Sequence, residues 1–290
     1  MYDAIIIGRG PAGISCSIYT SRAGLKTLVV GKDDSALKKA EKIQNYYGFS
    51  NPISGKFLLE EGEKQARALG VEIIEDEVID IDKEGFFTIT AARGKYAGKA
   101  VLLAAGRPRK APKIENLSGF EGRGVSYCPT CDGFFFKGLN VGVLGHKDYA
   151  VHEAMELEAY TKKITIFTDG YEPDVSEKFA QEAKRFRIIK EPVMRLEGDD
   201  FLRAVVLAGG SEEKIDGLFI AYGTASSLNF AKKLGITLKD DSVVVDEKQS
   251  TSVAGLFAAG DCTGGLMQIA VAVGQGAVAG KNIIEYVRGV

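Results

Sequence analysis

The sequence predicts an α/β protein built on two dinucleotide-binding βαβ units. Three observations carry this. A strand-like run, Asp3–Ile7, leads directly into a Gly-x-Gly-x-x-Gly turn at Gly8, Gly10 and Gly13. A second strand–turn–helix–strand pattern starts near Leu139. Glycine supplies 35 of the 290 residues, well above the roughly 7% of ordinary chains, and it clusters at such turns.

Asp3–Ile7 reads as a strand buried on both faces, because its apolar run does not alternate. In the turn that follows, Gly8 allows the sharp bend, Gly10 lets backbone approach a pyrophosphate, and Gly13 permits close helix–strand packing. Ile14–Arg22 is helix-like and Lys26–Val30 is the second buried strand. Amide groups at the helix start would bind the phosphates. The acid that usually holds the ribose ends the second strand, but Gly31 stands there; Asp33 and Asp34 are the nearest substitutes. In the second unit, Asn140–Leu144 is strand-like, Gly145–Ala150 is a turn, Val151–Lys162 is helix-like and Lys163–Phe167 is a short β-rich run. Gly106–Pro112 reads as a linker from its Pro, Gly and charge, and Lys239–Ser242 is a second polar break.

Composition excludes several classes. With 37 Lys+Arg against 39 Asp+Glu the net charge is −2, and the pI near 5.9 lacks the basic footprint of a nucleic-acid binder. Mean hydropathy is −0.02 and no apolar run reaches membrane-spanning length. The N-terminus has neither the basic start nor the apolar core of a secretory signal, so a cytoplasmic location is expected. Of four cysteines, Cys128 and Cys131 form a CxxC, which in such a chain reads as redox or metal chemistry. Structural zinc needs four N/S ligands, whereas the remaining Cys16, Cys262, His146 and His152 lie in unrelated motifs; no metal is expected. Cys16 and Cys262, beside glycine-rich turns, read as packing residues. A CxxC pair passes two electrons by thiol–disulfide exchange, and Asp132 beside Cys131 is placed to move a proton or, alternatively, to cap a helix.

Further motifs carry a resemblance. Leu102–Gly106 resembles the strand–turn motif of two-dinucleotide flavoproteins, and Thr251–Asp261 resembles their flavin-side signature. Cys128-Pro129-Thr130-Cys131-Asp132-Gly133 resembles the active site of the low-molecular-weight thioredoxin reductases. Ile43–Phe49 and Ile53–Gly55 match the same family. The resemblance covers essentially the whole chain. It implies two Rossmann-like domains, the second inserted into the first: an FAD domain over 1–108 and 241–290, and a CxxC domain over 109–240. It implies FAD contacts from Gly8, Gly10, Pro11, Ala12, Gly13, Asn45, Ala105, Gly106, Gly260, Asp261, Gln268 and Ile269, with Asp261 on the ribitol chain. It implies catalysis by Cys128, Cys131 and Asp132, with Cys131 nearest the flavin and Cys128 attacking the thioredoxin disulfide. It also implies a homodimer, and a domain rotation about the two polar segments named above.

The second unit departs from the family. Where the family has roughly Gly-Gly-Gly-Asp-Ser/Thr-Ala, this chain has Gly145-His146-Lys147-Asp148-Tyr149-Ala150. Lys147 replaces the glycine that lets backbone touch a pyrophosphate. The basic cluster for a 2′-phosphate is missing: Ile164–Val175 contains no Lys or Arg but holds Asp169, Glu172 and Asp174. Such a pocket repels NADPH. The pattern is similar to the ferredoxin-dependent, pyridine-nucleotide-independent flavin thioredoxin reductases, so ferredoxin is the expected donor and thioredoxin the expected substrate. NADH remains an alternative, with Asp169, 24 residues after Gly145, as its ribose ligand. A non-catalytic flavin-binding regulatory module is the alternative from another class, and the intact CxxC-Asp argues against it. Lys32, Lys38, Lys39 and Lys42 form the best local basic cluster for docking, although such a cluster is usually a solvated face.

Overall fold

The computed structural model describes residues 1–33, 35–106, 112–223, 225–239 and 242–290. Along the chain the first strands and helices are β1 (Tyr2–Ile7), α1 (Pro11–Arg22), β2 (Thr27–Gly31), α2 (Gly55–Ala68), β3 (Glu72–Glu75), β4 (Val78–Glu84), β5 (Phe86–Ala91) and β6 (Lys95–Leu103). Then come β7 (Val125–Ser126), α3 (Pro129–Asp132), β8 (Val141–Leu144), α4 (Asp148–Leu157), β9 (Ile164–Phe167), α5 (Glu177–Ala183), β10 (Arg187–Ile189), β11 (Val193–Gly198), β12 (Leu202–Leu207), β13 (Glu212–Lys214) and β14 (Gly217–Ile220). The chain ends with α6 (Ser227–Lys233), β15 (Leu238–Lys239), β16 (Ser242–Val243), β17 (Leu256–Ala258) and α7 (Ile269–Arg288). Both expected βαβ units form, with their strands and α1 within about three residues of the expected bounds, whereas α4 begins inside the expected turn and ends at Leu157, short of the expected Lys162.

Two compact units result, Met1–Arg107 with Ser226–Val290, and Pro108–Ala225. Each is Rossmann-like, and the second interrupts the first in sequence. The return to the first unit comes at Ser226, not at 241 as expected. The reason is α6: its Lys233 ammonium sits 2.6 Å from Asp80 and 2.9 Å from Asp82 of β4, so the helix belongs to the first unit. The expected hinge residues 107–111 and 240–241, and Asp34, lie outside the described residues.

In the first unit the described strands run β3-β2-β1-β6-β5-β4, with β17 also on β6. The β3, β2, β1, β6 and β17 pairings are parallel. On its edge away from β1, β6 serves two partners: residues 95–98 pair antiparallel with β5, while Val101–Leu103 pair with β17. The apolar runs of β1, β2 and β6 are uninterrupted because helices or further strands cover both faces; Ile5, Ile6, Leu28, Val29, Leu102 and Leu103 are all fully buried. Helices α1 and α7 cross closely and run parallel. A Cβ on Gly276 would fall 2.1 Å from the Ala12 carbonyl oxygen, and one on Gly280 would fall 3.0 Å from that of Cys16. Glycines on α7 therefore let the two helix backbones come into direct contact.

The second unit holds a parallel sheet β10-β9-β8-β14-β7 and a three-stranded antiparallel sheet β11-β12-β13. Its own core is built from Leu144, Phe167, Leu196, Val205 and Leu218 among others.

Candidate functional site

In the first unit the three glycines of the turn differ in what surrounds them. Gly8 sits at φ +122°, and a Cβ there would lie 2.2 Å from the Ala104 carbonyl oxygen. A Cβ on Gly13 would lie 2.1 Å from the Gly8 carbonyl oxygen. Gly10 is different, since no heavy atom lies within 4 Å of a Cβ there. The fold itself thus requires Gly8 and Gly13, whereas Gly10 guards open space. Pro11 opens α1, and no side chain caps its first-turn amides at Gly10. An uncapped helix N-terminus with open space beside Gly10 fits a dinucleotide pyrophosphate.

The other expected cofactor residues gather on the same unit. Gly260, at φ +82°, would place a Cβ 3.1 Å from Ala12 Cβ, and its amide donates to Gln275 Oε1 at 2.8 Å. Asp261 follows, opening a short 3-10 turn. Gln268 precedes α7, whose first residue is Ile269, and accepts a hydrogen bond from Asn45 Nδ2 at 2.9 Å. The Ala105 amide donates to Ser227 Oγ at 3.1 Å, and Gly106 turns at φ +69°. Cys16 and Cys262 are fully buried, as packing residues would be. Burial pushes both thiols up, Cys262 to about 11.

The expected ribose acid is otherwise engaged. Asp33 is ion-paired with Lys38 and lies 4.0 Å from Arg9. Arg9, which sequence reasoning overlooked, grips Glu63 through two nitrogens at 2.9 and 3.0 Å and Glu75 at 3.2 Å. Its Cγ would be 3.2 Å from a Cβ on Gly31, so the arginine stem lies over the end of β2 where an acid usually stands. Lys32 pairs with Glu77 at 2.7 Å, which takes it and Lys38 out of the basic cluster and leaves Lys39 and Lys42 exposed.

The second unit carries the redox pair. Cys128 caps α3 and is disulfide-bonded to Cys131, whose backbone amide donates to Cys128 Sγ at 3.2 Å. Cys128 is only 6% exposed, whereas Cys131 is exposed. The Ser126 hydroxyl donates to Asp132 Oδ2 at 2.6 Å and accepts from the Cys128 amide at 3.1 Å. Sequence reasoning did not find Ser126, because a serine two residues before a cysteine carries no signal without the strand that aims it.

The turn after β8 is covered by the protein itself. Gly145 is kept by packing, since a Cβ would lie 2.2 Å from the Ala221 carbonyl oxygen. His146 stacks on Tyr171 at a ring separation of 4.4 Å, with Tyr222 edge-on at 6.3 Å. The Asp174 amide donates to the His146 carbonyl at 2.7 Å, and Lys147 Nζ reaches Asp174 at 3.4 Å. Asp148 is buried and accepts from the Ser176 amide at 2.7 Å. Residues 168–176 therefore form a strap against the turn, pinned at several points. Burial first, then the charge of Lys147, holds His146 below the ordinary imidazole range. Asp169 accepts from the Val193 amide at 2.9 Å on Oδ1 and from the Tyr222 hydroxyl at 3.1 Å on Oδ2. Asp169, the ribose ligand of the NADH alternative, thus spends one hydrogen bond from each carboxylate oxygen on the strap. Tyr149, the bulky residue at the helix start, is buried.

Among the described residues no helix is long and apolar enough to cross a membrane. The family model for pyridine nucleotide-disulphide oxidoreductases matches residues 2–276. A thioredoxin reductase of Aquifex aeolicus is 35% identical, over all of this chain and 94% of its own. The crystal structure of the atypical thioredoxin reductase TRi from Desulfovibrio vulgaris Hildenborough is similar at TM-score 0.96 and 41% identity, over 100% of this chain and 99% of that one. That of a ferredoxin-flavin thioredoxin reductase from Clostridium acetobutylicum reaches TM-score 0.73 at 30% identity, with 100% and 99% covered. The chain belongs to the pyridine nucleotide-disulphide oxidoreductase family, in its low-molecular-weight thioredoxin reductase branch.

Proposed function

We propose that this protein is an FAD enzyme that reduces a thioredoxin disulfide with electrons from reduced ferredoxin, not from a nicotinamide nucleotide. The observation that carries the donor is the strap. In the second unit, the turn where a nucleotide pyrophosphate would lie is covered by residues 168–176, and each carboxylate oxygen of the acid at ribose spacing accepts a hydrogen bond from within the protein. The open glycine turn of the first unit supports FAD there, with Gly10 and the α1 amides on the pyrophosphate. Gly260, Asp261, Gln268 and Asn45 are the residues that would hold the rest of it. FAD, when bound, takes electrons singly and passes them on in pairs.

The chain's own residues perform the disulfide chemistry. Once Cys128 and Cys131 are thiols, the Cys131 thiolate attacks one sulfur of the thioredoxin disulfide. A Cys131–thioredoxin bond forms and the thioredoxin disulfide breaks. Cys128 then attacks Cys131 Sγ, which restores the Cys128–Cys131 disulfide and releases dithiol thioredoxin. Two electrons pass to thioredoxin, and the two cysteine protons end on its two sulfurs, with Asp132 as carrier. Exposure favours Cys131 as the outward nucleophile, the reverse of the role the resemblance implied, because a protein disulfide has to reach the attacking sulfur. Cys128 is suited to the resolving step, since the Cys131 amide stabilises negative charge on its sulfur.

The energetics favour this direction. A plant-type ferredoxin near −400 mV and thioredoxin near −270 mV differ by about 130 mV, or about 6 kcal/mol over two electrons. A cytoplasmic homodimer is the form this reading implies; a reducing compartment suits a thiol–disulfide cycle. The test combines chemically reduced ferredoxin, the enzyme and oxidised thioredoxin under anaerobic conditions, followed by thiol counting. New thiols should require all three components. No thiols with any of several ferredoxins, but rapid formation with NADPH or NADH, would overturn the reading.

A further inference from the structure

We infer that Ser126 is a positioning residue for the proton carrier Asp132, an inference that rests on the proton-transfer role proposed above. Ser126 ends the short strand β7, and its register partner is Phe219 of β14 in the parallel sheet. The strand fixes its backbone, and the residue is 5% exposed. The buried hydroxyl makes two directional bonds. Its oxygen accepts from the Cys128 amide at 3.1 Å, and its hydrogen goes to Asp132 Oδ2 at 2.6 Å.

The direction of these bonds matters. A backbone amide can only donate, so the hydroxyl oxygen faces Cys128 and its hydrogen is left for the carboxylate. Oδ2 is thereby held by the strand, and Oδ1 becomes the oxygen that exchanges protons with the thiols. A carboxylate on a short side chain otherwise rotates freely. Held at one oxygen, it offers the other in a fixed place, one residue along the short helix from Cys131. The same hydroxyl also ties the carrier to the backbone of Cys128. One side chain thus aligns the proton carrier with the cysteine pair, and a charge-assisted bond to a carboxylate is the stronger kind. The proton balance is that of the proposed exchange: Oδ1 takes a proton from an enzyme thiol as it attacks, and returns it to a departing thioredoxin sulfur.

The test measures the disulfide half-reaction, which needs no electron donor. FAD-loaded enzyme, with its disulfide reduced by dithiothreitol and then freed of reductant, is mixed with oxidised thioredoxin and quenched with a thiol alkylator. Ser126→Ala should slow thiol transfer by about 10- to 100-fold, the scale of one charge-assisted hydrogen bond. Ser126→Thr keeps the hydroxyl on a residue that suits a strand and should restore most of the rate. Added to Asp132→Asn, Ser126→Ala should slow the reaction no further. Flavin absorbance and melting of each variant identify any loss of fold, and the threonine variant then decides. If Ser126→Ala slows transfer equally in both backgrounds, the serine acts only through Cys128 and the inference is wrong. If Asp132→Asn is slow while Ser126→Ala is fast, the inference alone fails. If Asp132→Asn itself is fast, the proton-carrier reading fails and takes the inference with it.

Discussion

The Tyr222 hydroxyl donates to Asp169 Oδ2 at 3.1 Å, and that single bond separates two accounts of the second unit. Burial, then hydrogen bonding with Tyr171 and the charge of Asp169, pushes the Tyr222 phenol above its ordinary range, so it remains a donor at any working pH. A carboxylate already serving Tyr222 and the Val193 amide is a structural clasp. Asp169→Ala should therefore destabilise the protein by about 1 kcal/mol or more, because it leaves two part-buried donors without this acceptor. Urea unfolding measures this, and the flavin's response to NADH should stay as it was. A ribose ligand would behave oppositely, with stability kept and NADH reduction lost.

The glycines of the first unit should separate folding from cofactor binding. Gly8→Ala pushes a Cβ into the Ala104 carbonyl at φ +122°, so it should lose both stability and flavin. Gly10→Ala meets no protein atom within 4 Å. It should leave the melting temperature of the flavin-free protein nearly unchanged and weaken FAD by about tenfold or more, the effect of about 1.4 kcal/mol. Equal FAD affinity in Gly10→Ala and wild type would remove the pyrophosphate from that turn.

The two cysteines should trap thioredoxin unequally. Cys128→Ser leaves the exposed Cys131 and should accumulate a mixed disulfide with thioredoxin, visible on a non-reducing gel. Cys131→Ser leaves Cys128, at 6% exposure, and should trap little. The reverse pattern would return the outward role to Cys128.

The first βαβ unit was legible because its information is local. Doubly buried strands give unbroken apolar runs, and Gly8 and Gly13 are demanded by atoms within the same unit. The C-terminal boundary was not legible, because α6 is anchored by Lys233 to Asp80, 153 residues away. Asp169 had the right spacing for a ribose ligand, but spacing does not reveal that a strap folds back and uses the carboxylate. Ser126 was invisible for a related reason: its role depends on the register of a two-residue strand.

The buried free thiols predict a pH dependence. Desolvation raises the folded Cys262 thiol to about 11, against roughly 8.5 in an unfolded chain, and raises Cys16 as well. Both stay protonated in the fold after the unfolded chain has lost its thiol protons. Their contribution to stability is complete below about pH 8.5 and falls away as pH rises toward 11. The decline of stability over that interval should be shallower in the Cys16→Ala, Cys262→Ala double variant. An identical slope would mean that neither thiol is buried in solution.

The central claim is that electrons enter from a protein because the nucleotide turn of the second unit is closed by its own strap. The most direct measurement is an anaerobic titration of flavin absorbance with NADPH, NADH and reduced ferredoxin in parallel. The account predicts that reduced ferredoxin bleaches the flavin, with two electrons per FAD, while either nucleotide at millimolar concentration leaves it yellow. Rapid bleaching by NADH or NADPH would contradict it.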